Sequence, residues 1–223
     1  MTSTLASPRV TSVLNRLFDA GRRQDEKAPA AYRDHLGSRS LEELFEHRDR
    51  AELTDELKDI YMPVTREAGE ALYLLTRMRR ATRVVEFGTS YAISTIYLAA
   101  AVRDNGGGTI VTTEMQADKA RAAGENLAAA GLDDLVEIRV GDALDTLRDL
   151  DGPVDLVLLD GWEDLYLPVL RLVESRLTAG SVVIADDVSF FPDTFRPYLD
   201  HLSTGYCSLT VPVGNGLEIS LRL

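Results

Sequence analysis

Five short runs rich in apolar and β-branched residues, Val84–Phe87, Thr109–Thr113, Val136–Val140, Val154–Leu159 and Ser181–Ala185, recur along the chain, each followed by a helix-patterned segment. This alternation limits the fold more than any other feature, because strands joined by crossover helices build a parallel sheet covered on both faces. Each run also has an acid at or just past its carboxyl end: Glu86, Glu114, Asp142, Asp160, and Asp186 with Asp187. One strand-end acid is as readily a helix cap. Five in succession place carboxylates along the edge where open α/β sheets bind ligands.

The spacing of apolar residues predicts helices over Arg66–Met78, Ile93–Val102 and Gln116–Ala130, the last closed by Gly131. Further helices are expected from Ala143 to about Leu150, from Trp162 to Leu177 and over Thr194–Leu202. Tyr206–Val211 and Leu217–Leu221, joined through Gly214-Asn-Gly216, read as a terminal hairpin that adds an antiparallel strand. The fold class is therefore α/β: a Rossmann-like, seven-stranded, mostly parallel sheet with helices on both faces.

Ahead of the sheet, residues 1–8 read as a loose leader, and Val13, Leu14, Leu17 and Phe18 form a helical stripe from Thr11. Pro29 breaks it, and Ser40-Leu-Glu-Glu43 has the form of a capping box that starts another short helix. Residues 1–60 are thus expected to be a helical annex that covers the ligand cleft or makes a dimer contact, with residues 61–223 as the main domain.

The chain has 223 residues, enough for one α/β domain. With 24 Lys and Arg against 36 Asp and Glu, its net charge of −12 disfavours nucleic acid and anionic membranes as partners. A single cysteine, Cys207, excludes an internal disulfide, and its apolar neighbours predict a buried core position. No apolar run is long enough to cross a bilayer and Met1–Pro8 lacks a hydrophobic signal core, so a cytoplasmic enzyme is expected. His35, His47 and His201 lack metal-ligand spacing and read as surface residues.

The stretch from Arg83 to Leu98 gives the ligand its chemistry. It reads as strand, tight turn and helix, with Gly88 allowing close backbone approach and the free amides of the helix start facing the same place. A dinucleotide motif requires a second glycine two positions on, and that position is Ser90. A ligand with a small carboxylate and a cation fits better: Glu86 would attract the cation, and Ser94 with nearby amides would take the carboxylate. S-adenosylmethionine has that charge pattern.

With these residues in hand, the chain resembles the class I S-adenosylmethionine-dependent methyltransferases, and among them the cation-dependent O-methyltransferases of the catechol O-methyltransferase type, which include bacterial tailoring enzymes of secondary metabolism. The resemblance runs from about Met62 to the C-terminus. It implies that Met62 and Val64 lie over the methionine part of the cofactor and that Glu86, Gly88, Ser90 and Ser94 bind it. It further implies that Glu114 takes the ribose hydroxyls, Met115 neighbours the adenine, Asp142-Ala143 lies at the adenine edge and Trp162 packs against the cofactor. Asp160, also at the cofactor, corresponds to a metal ligand, with Asp186 and Asp187 as the other two, a set suited to Mg²⁺ and also to Mn²⁺ or Ca²⁺. A homodimer is implied as well.

Two positions depart from the family pattern. Ala92 stands where glycine is usual, and Glu163 occupies the place of the lysine that takes the substrate proton in the animal enzyme. The expected reaction is transfer of the sulfonium methyl to a hydroxyl of a small, aromatic substrate with vicinal oxygens, assisted by a divalent ion; Asp160 and Glu163 are the catalytic candidates. Glu163 is expected to serve as base only if buried, and an ordinary solvent-facing helix acid is the favoured reading. Glu218 reads either as reaching the pocket or as exposed. The alternatives are metal-independent C- or N-methylation of an aromatic intermediate such as an indole, and a non-catalytic nucleotide-binding module.

Overall fold

The computed structural model describes residues 3–25, 63–189 and 192–223. Strands β1 (Arg83–Phe87), β2 (Thr109–Glu114), β3 (Val136–Val140), β4 (Val154–Leu159), β5 (Leu177–Ala185), β6 (Tyr206–Val211) and β7 (Leu217–Arg222) form one sheet in the order β3-β2-β1-β4-β5-β7-β6. The pairings among β1 to β5 are parallel, and β7 runs antiparallel to both β5 and β6. Strand order reverses at β1, which has β2 on one side and β4 on the other, so a crevice opens at their carboxyl ends.

The helices are α1 (Pro8–Asp25), α2 (Arg66–Arg79), α3 (Ile93–Asp104), α4 (Ala117–Ala130), α5 (Ala143–Thr146), α6 (Tyr166–Val173) and α7 (Pro192–Leu202). Side chains alternate across each strand, so Val84, Leu156, Leu158 and Ile184 pack with α1 to α4, while Val85, Val157, Leu159 and Val183 pack with α6 and α7. Helix α3 is buried from Ile93 to Val102, and its small Ala99-Ala-Ala101 run lets neighbouring elements approach closely.

The described part of the N-terminal segment is built into this core. Val10, Leu14, Leu17 and Phe18 belong to the same buried cluster as α3 and α4. The expectation of a loose leader over residues 1–8 is corrected for the described residues 3–8. Thr4–Ala6 forms a 3₁₀ turn whose Thr4 amide and hydroxyl donate to Asp104, and α1 starts at Pro8, with the Ser7 hydroxyl accepting from the Val10 amide. The break at Pro29, the capping box at Ser40 and the whole of residues 26–62 lie outside the described residues.

Two expected helices are shorter than their patterns suggested. Helix α5 ends at Thr146 because Arg139 reaches across from β3 and donates to the Thr146 and Asp149 carbonyls, supplying partners off the helix axis. The segment from Trp162 to Leu177 divides into a 3₁₀ turn (Glu163–Leu165), α6 and a second 3₁₀ turn (Glu174–Arg176), and β5 already begins at Leu177. Cys207 is likewise not a core residue: it is exposed, on edge strand β6 opposite the exposed Leu221.

Candidate functional site

A cavity of about 180 Å³ lies over the carboxyl ends of β1, β2 and β4. Its floor is the turn after β1. There the Thr89 amide donates to the Thr113 carbonyl (3.0 Å) and the Ala92 amide to the Thr89 carbonyl (2.8 Å). Ser90 and Ala92 adopt left-handed backbone at φ 46° and 68°, so Ala92 keeps the conformation that the usual glycine would supply, its methyl fully buried. Helix α3 has no side-chain cap, which leaves its first amides available at the cavity.

Gly88 has a reason beyond closeness to a ligand. Its φ is +103°, and a Cβ there would stand 2.1 Å from the Asp160 carbonyl oxygen. The glycine lets the β1 and β4 ends converge, a contact also tied by the Asp160 amide donating to the Phe87 carbonyl at 2.8 Å.

Most of the residues singled out in the sequence line this cavity: Val64, Gly88, Ser90, Ser94 and Glu114, then Met115, Asp142, Ala143, Asp160, Trp162, Glu163 and Asp187. Met62 lies outside the described residues. Glu114 is held firmly, one oxygen accepting from the Ser90 amide and the other from the Gln116 amide, both at 2.8 Å. Each oxygen keeps a second lone pair for a donor in the cavity. Asp142 spends one oxygen capping α5 through the Leu144 amide.

Glu86 is placed differently from the expectation. It is fully buried behind the cavity wall, and its carboxylate accepts from Ser94 (2.7 Å), Thr95 (2.6 Å) and Thr112 (2.6 Å). Burial lifts its pKa to about 7 against the opposing pull of these three hydroxyls. Ser94 therefore has its hydroxyl proton directed at Glu86, and an anion at this end of the cavity would meet the α3 amides and the Ser94 oxygen only as an acceptor.

Asp160, Asp186 and Asp187 each turn one carboxylate oxygen to a common point, all within 4.8 Å of one another. Burial pushes Asp160 well above the usual carboxylate range, and Asp186, Asp187, Glu86 and Glu163 push it further. Asp186 is raised by burial and by Asp187. Among the described residues, both are raised by burial and by neighbouring acids, so the cluster fits a hard divalent cation bound by oxygens. Asp187 sits at φ 61°, held by the Asn215 side-chain amide at 2.9 Å, and the Tyr166 hydroxyl donates to the Asp186 carbonyl.

Residues 85–188 match the model of a methyltransferase domain. The chain is 38% identical over 126 residues to a catechol O-methyltransferase of Mycobacterium tuberculosis, covering 56% of each chain. It is 31% identical over 157 residues to the catechol O-methyltransferase of Niastella koreensis, covering 66% of this chain and 70% of that one. The chain belongs to the catechol O-methyltransferase family. This places it among the class I S-adenosylmethionine-dependent O-methyltransferases. The fold agrees: the O-methyltransferase TomG from Streptomyces achromogenes, solved in complex with SAM, superposes with a TM-score of 0.68 at 27% identity, covering 79% of this chain and 91% of TomG. The chain spans little more than half the length of the Mycobacterium catechol O-methyltransferase.

The expectation of a solvent-facing helix acid gives way: Glu163 opens a 3₁₀ turn and lines the cavity, where burial foremost, then Asp187 and Asp164, raise its pKa to about 7. Glu218 neither reaches the cavity nor is exposed; it is buried beside Ala185 of β5 and accepts from the Thr210 hydroxyl. His201 is partly buried, its Nε2 3.2 Å from Glu174. Sequence reasoning missed Thr95, Thr112 and Asn215, which orient the acids. Thr112 sits opposite Glu86 in the β1–β2 register, a signal available only once the strands are paired. No helix of the described residues is long and apolar enough to cross a membrane.

Proposed function

We propose that this chain transfers the methyl group of S-adenosylmethionine to a hydroxyl of a small, aromatic substrate with adjacent oxygens, with a divalent ion, Mg²⁺ in the first instance, held by Asp160, Asp186 and Asp187. The observation that carries this reading is the convergence of three aspartates within 4.8 Å of one another, two of which, Asp160 and Asp187, line the cavity that also holds Glu114 and the turn after Gly88. S-adenosylmethionine, when bound, supplies an electrophilic methyl group, and the ion supplies a Lewis acid that lowers the pKa of a coordinated hydroxyl. Val64, Met115 and Trp162 would pack on the cofactor, and Glu114 would accept from its ribose. Residues 61–223 form the transferase domain in this proposal and residues 1–60 its helical annex, with a homodimer and a cytoplasmic location as the setting.

Glu163 is suited to accept the substrate proton. A carboxyl with its pKa near 7 is about half deprotonated at neutral pH, where general bases work best. Glu163→Gln is expected to lower kcat by roughly 10²-fold and to flatten the rise in rate between about pH 6 and 8. An unchanged pH–rate profile in this variant would remove Glu163 from the mechanism.

The direct test is methylation of a catechol by the full chain with and without chelator. Loss of activity in chelator and its return with Mg²⁺ is the expected result. Full activity on the catechol in chelator would remove the ion from the mechanism. Methylation of an indole in chelator with none of the catechol would favour metal-independent C- or N-methylation, a reading that the absence of lysine at position 163 keeps in view. Absence of S-adenosylhomocysteine binding in calorimetry would favour a non-catalytic module.

The same acids predict how stability depends on pH. Folded-state pKa values raised above the unfolded ones stabilise the fold below the unfolded value, and that contribution is lost as pH rises through the folded value. For Glu86 the window runs from 4.5 to about 7. One third of this shift corresponds to roughly 1 kcal/mol, or about 2–4 °C in Tm for a chain of this size. The metal-free protein is therefore expected to melt at least about 2–4 °C lower at pH 8 than at pH 5. Mg²⁺ at pH 8 should recover the aspartates' part of this loss. A Tm in chelator that rises with pH would contradict the buried-acid account.

A further inference from the structure

We infer that the N-terminal helix shapes the cofactor turn through a relay from Arg16 to Asn126 to the Tyr91 carbonyl, which makes Arg16 and Asn126 positioning residues for ligand binding. Asn126, on α4, is buried, with 6% of its surface exposed. Its Nδ2 donates to the Tyr91 carbonyl at 3.0 Å, and its Oδ1 accepts from Arg16 Nη2, on α1, at 2.8 Å. A guanidinium can only donate, so the amide oxygen must face Arg16 and the amide nitrogen must face Tyr91. Both partners demand the same orientation, so Arg16 reinforces the end of Asn126 that the turn meets and holds it in place.

The turn has reason to depend on such a hold. Tyr91 lies between Ser90 at φ 46° and Ala92 at φ 68°, two residues with a Cβ in left-handed backbone. Conformations of this kind persist only where their surroundings over-determine them. Other bonds fix Ser90 to Glu114 and Ala92 to Thr89, and the Asn126 bond adds a tie at the carbonyl between the two. Helix α3 begins immediately after, without a side-chain cap, so the aim of its first amides into the cavity follows the turn. Arg16 lies outside residues 85–188, the part matched by the methyltransferase domain, so the relay extends the site into the N-terminal helix.

The relay rests on the reading of the cavity as the S-adenosylmethionine site, and a control inside the molecule separates positioning from general loosening. Arg9, also on α1, donates to the Ala128 and Ala129 carbonyls at the end of α4, tying the same two helices without contacting Asn126. Calorimetry with S-adenosylhomocysteine is carried out on the 223-residue chain carrying Arg16→Met, Asn126→Ala or Arg9→Met, alongside thermal melts without ligand. Arg16→Met and Asn126→Ala are expected to raise Kd roughly 3–30-fold, the span of ordinary energetic coupling between sites, with Arg9→Met within about twofold at a similar loss of Tm. In an Ala92→Gly background, where glycine adopts the turn without strain, the Asn126→Ala effect should shrink to about twofold or less. Equal affinity losses in Arg9→Met and Arg16→Met, or an undiminished Asn126→Ala effect in the glycine background, would overturn the relay. Failure of the unsubstituted chain to bind S-adenosylhomocysteine would overturn the cofactor reading and the relay with it.

Discussion

Replacing Asp160 by alanine is expected to lower Mg²⁺-dependent turnover by at least about a thousandfold, equivalent to ~4 kcal/mol of barrier, while S-adenosylhomocysteine affinity stays within about tenfold. The asymmetry follows from what the side chain and the backbone each do. The Asp160 carboxylate supplies one of three oxygens turned to a common point, and the described side chains that act most on it are all acids. Two remaining aspartates would bind a divalent ion weakly, because such ions take several oxygen ligands. The backbone contribution is unaffected, since the Asp160 amide still donates to the Phe87 carbonyl and its own carbonyl still packs at Gly88. Without metal, the substitution should leave the melting temperature at pH 8 unchanged or higher, because it removes a buried carboxyl crowded by Asp186, Asp187, Glu86 and Glu163. Turnover and affinity falling by equal factors would show that Asp160 serves the cofactor rather than an ion.

Gly88→Ala is expected to have the largest effect on stability, roughly 3–5 kcal/mol, which lowers Tm by about 6–20 °C or prevents folding. Two penalties combine at one atom. A φ of +103° is disfavoured for any residue with a Cβ, and the added methyl would stand 2.1 Å from the Asp160 carbonyl oxygen. That oxygen belongs to the backbone where β4 ends beside β1, so relief requires separating the two central strands at the crevice. Ala92→Gly is the control. It sits in the same turn at φ 68°, where glycine is the easier residue, and should leave Tm within a few degrees. A Gly88→Ala chain that melts with the parent would mean that the β1–β4 approach is looser than described.

The two substitutions mark how far the sequence could be read. Strand existence was legible because its signals are local: Val154–Leu159 is apolar apart from Asp155, as a strand buried on both faces nearly must be, and its bounds are those observed. Helix ends were less legible where a side chain from the preceding strand supplies the partners, as Arg139 does for α5. The acids show the same division. Their positions at strand ends put them on one edge, but not which way each carboxylate turns. Glu86, one residue before the end of β1, turns to the hydroxyls of α3 and β2, whereas Asp160, just past the end of β4, faces the cavity.

The sequence by itself thus determined the α/β alternation, the antiparallel last strand, the acid-lined edge and the family, all of which are written in periodicities and short motifs within single elements. Only the tertiary structure decided that Glu86 lies behind the wall, that Glu163 lines the cavity, that Cys207 is exposed while Glu218 is buried, and that Arg16 reaches the turn through Asn126. The physical reason is that burial, pKa and amide orientation belong to pairs of groups from distant parts of the chain, and no pattern along one segment encodes the partner that packing brings beside it.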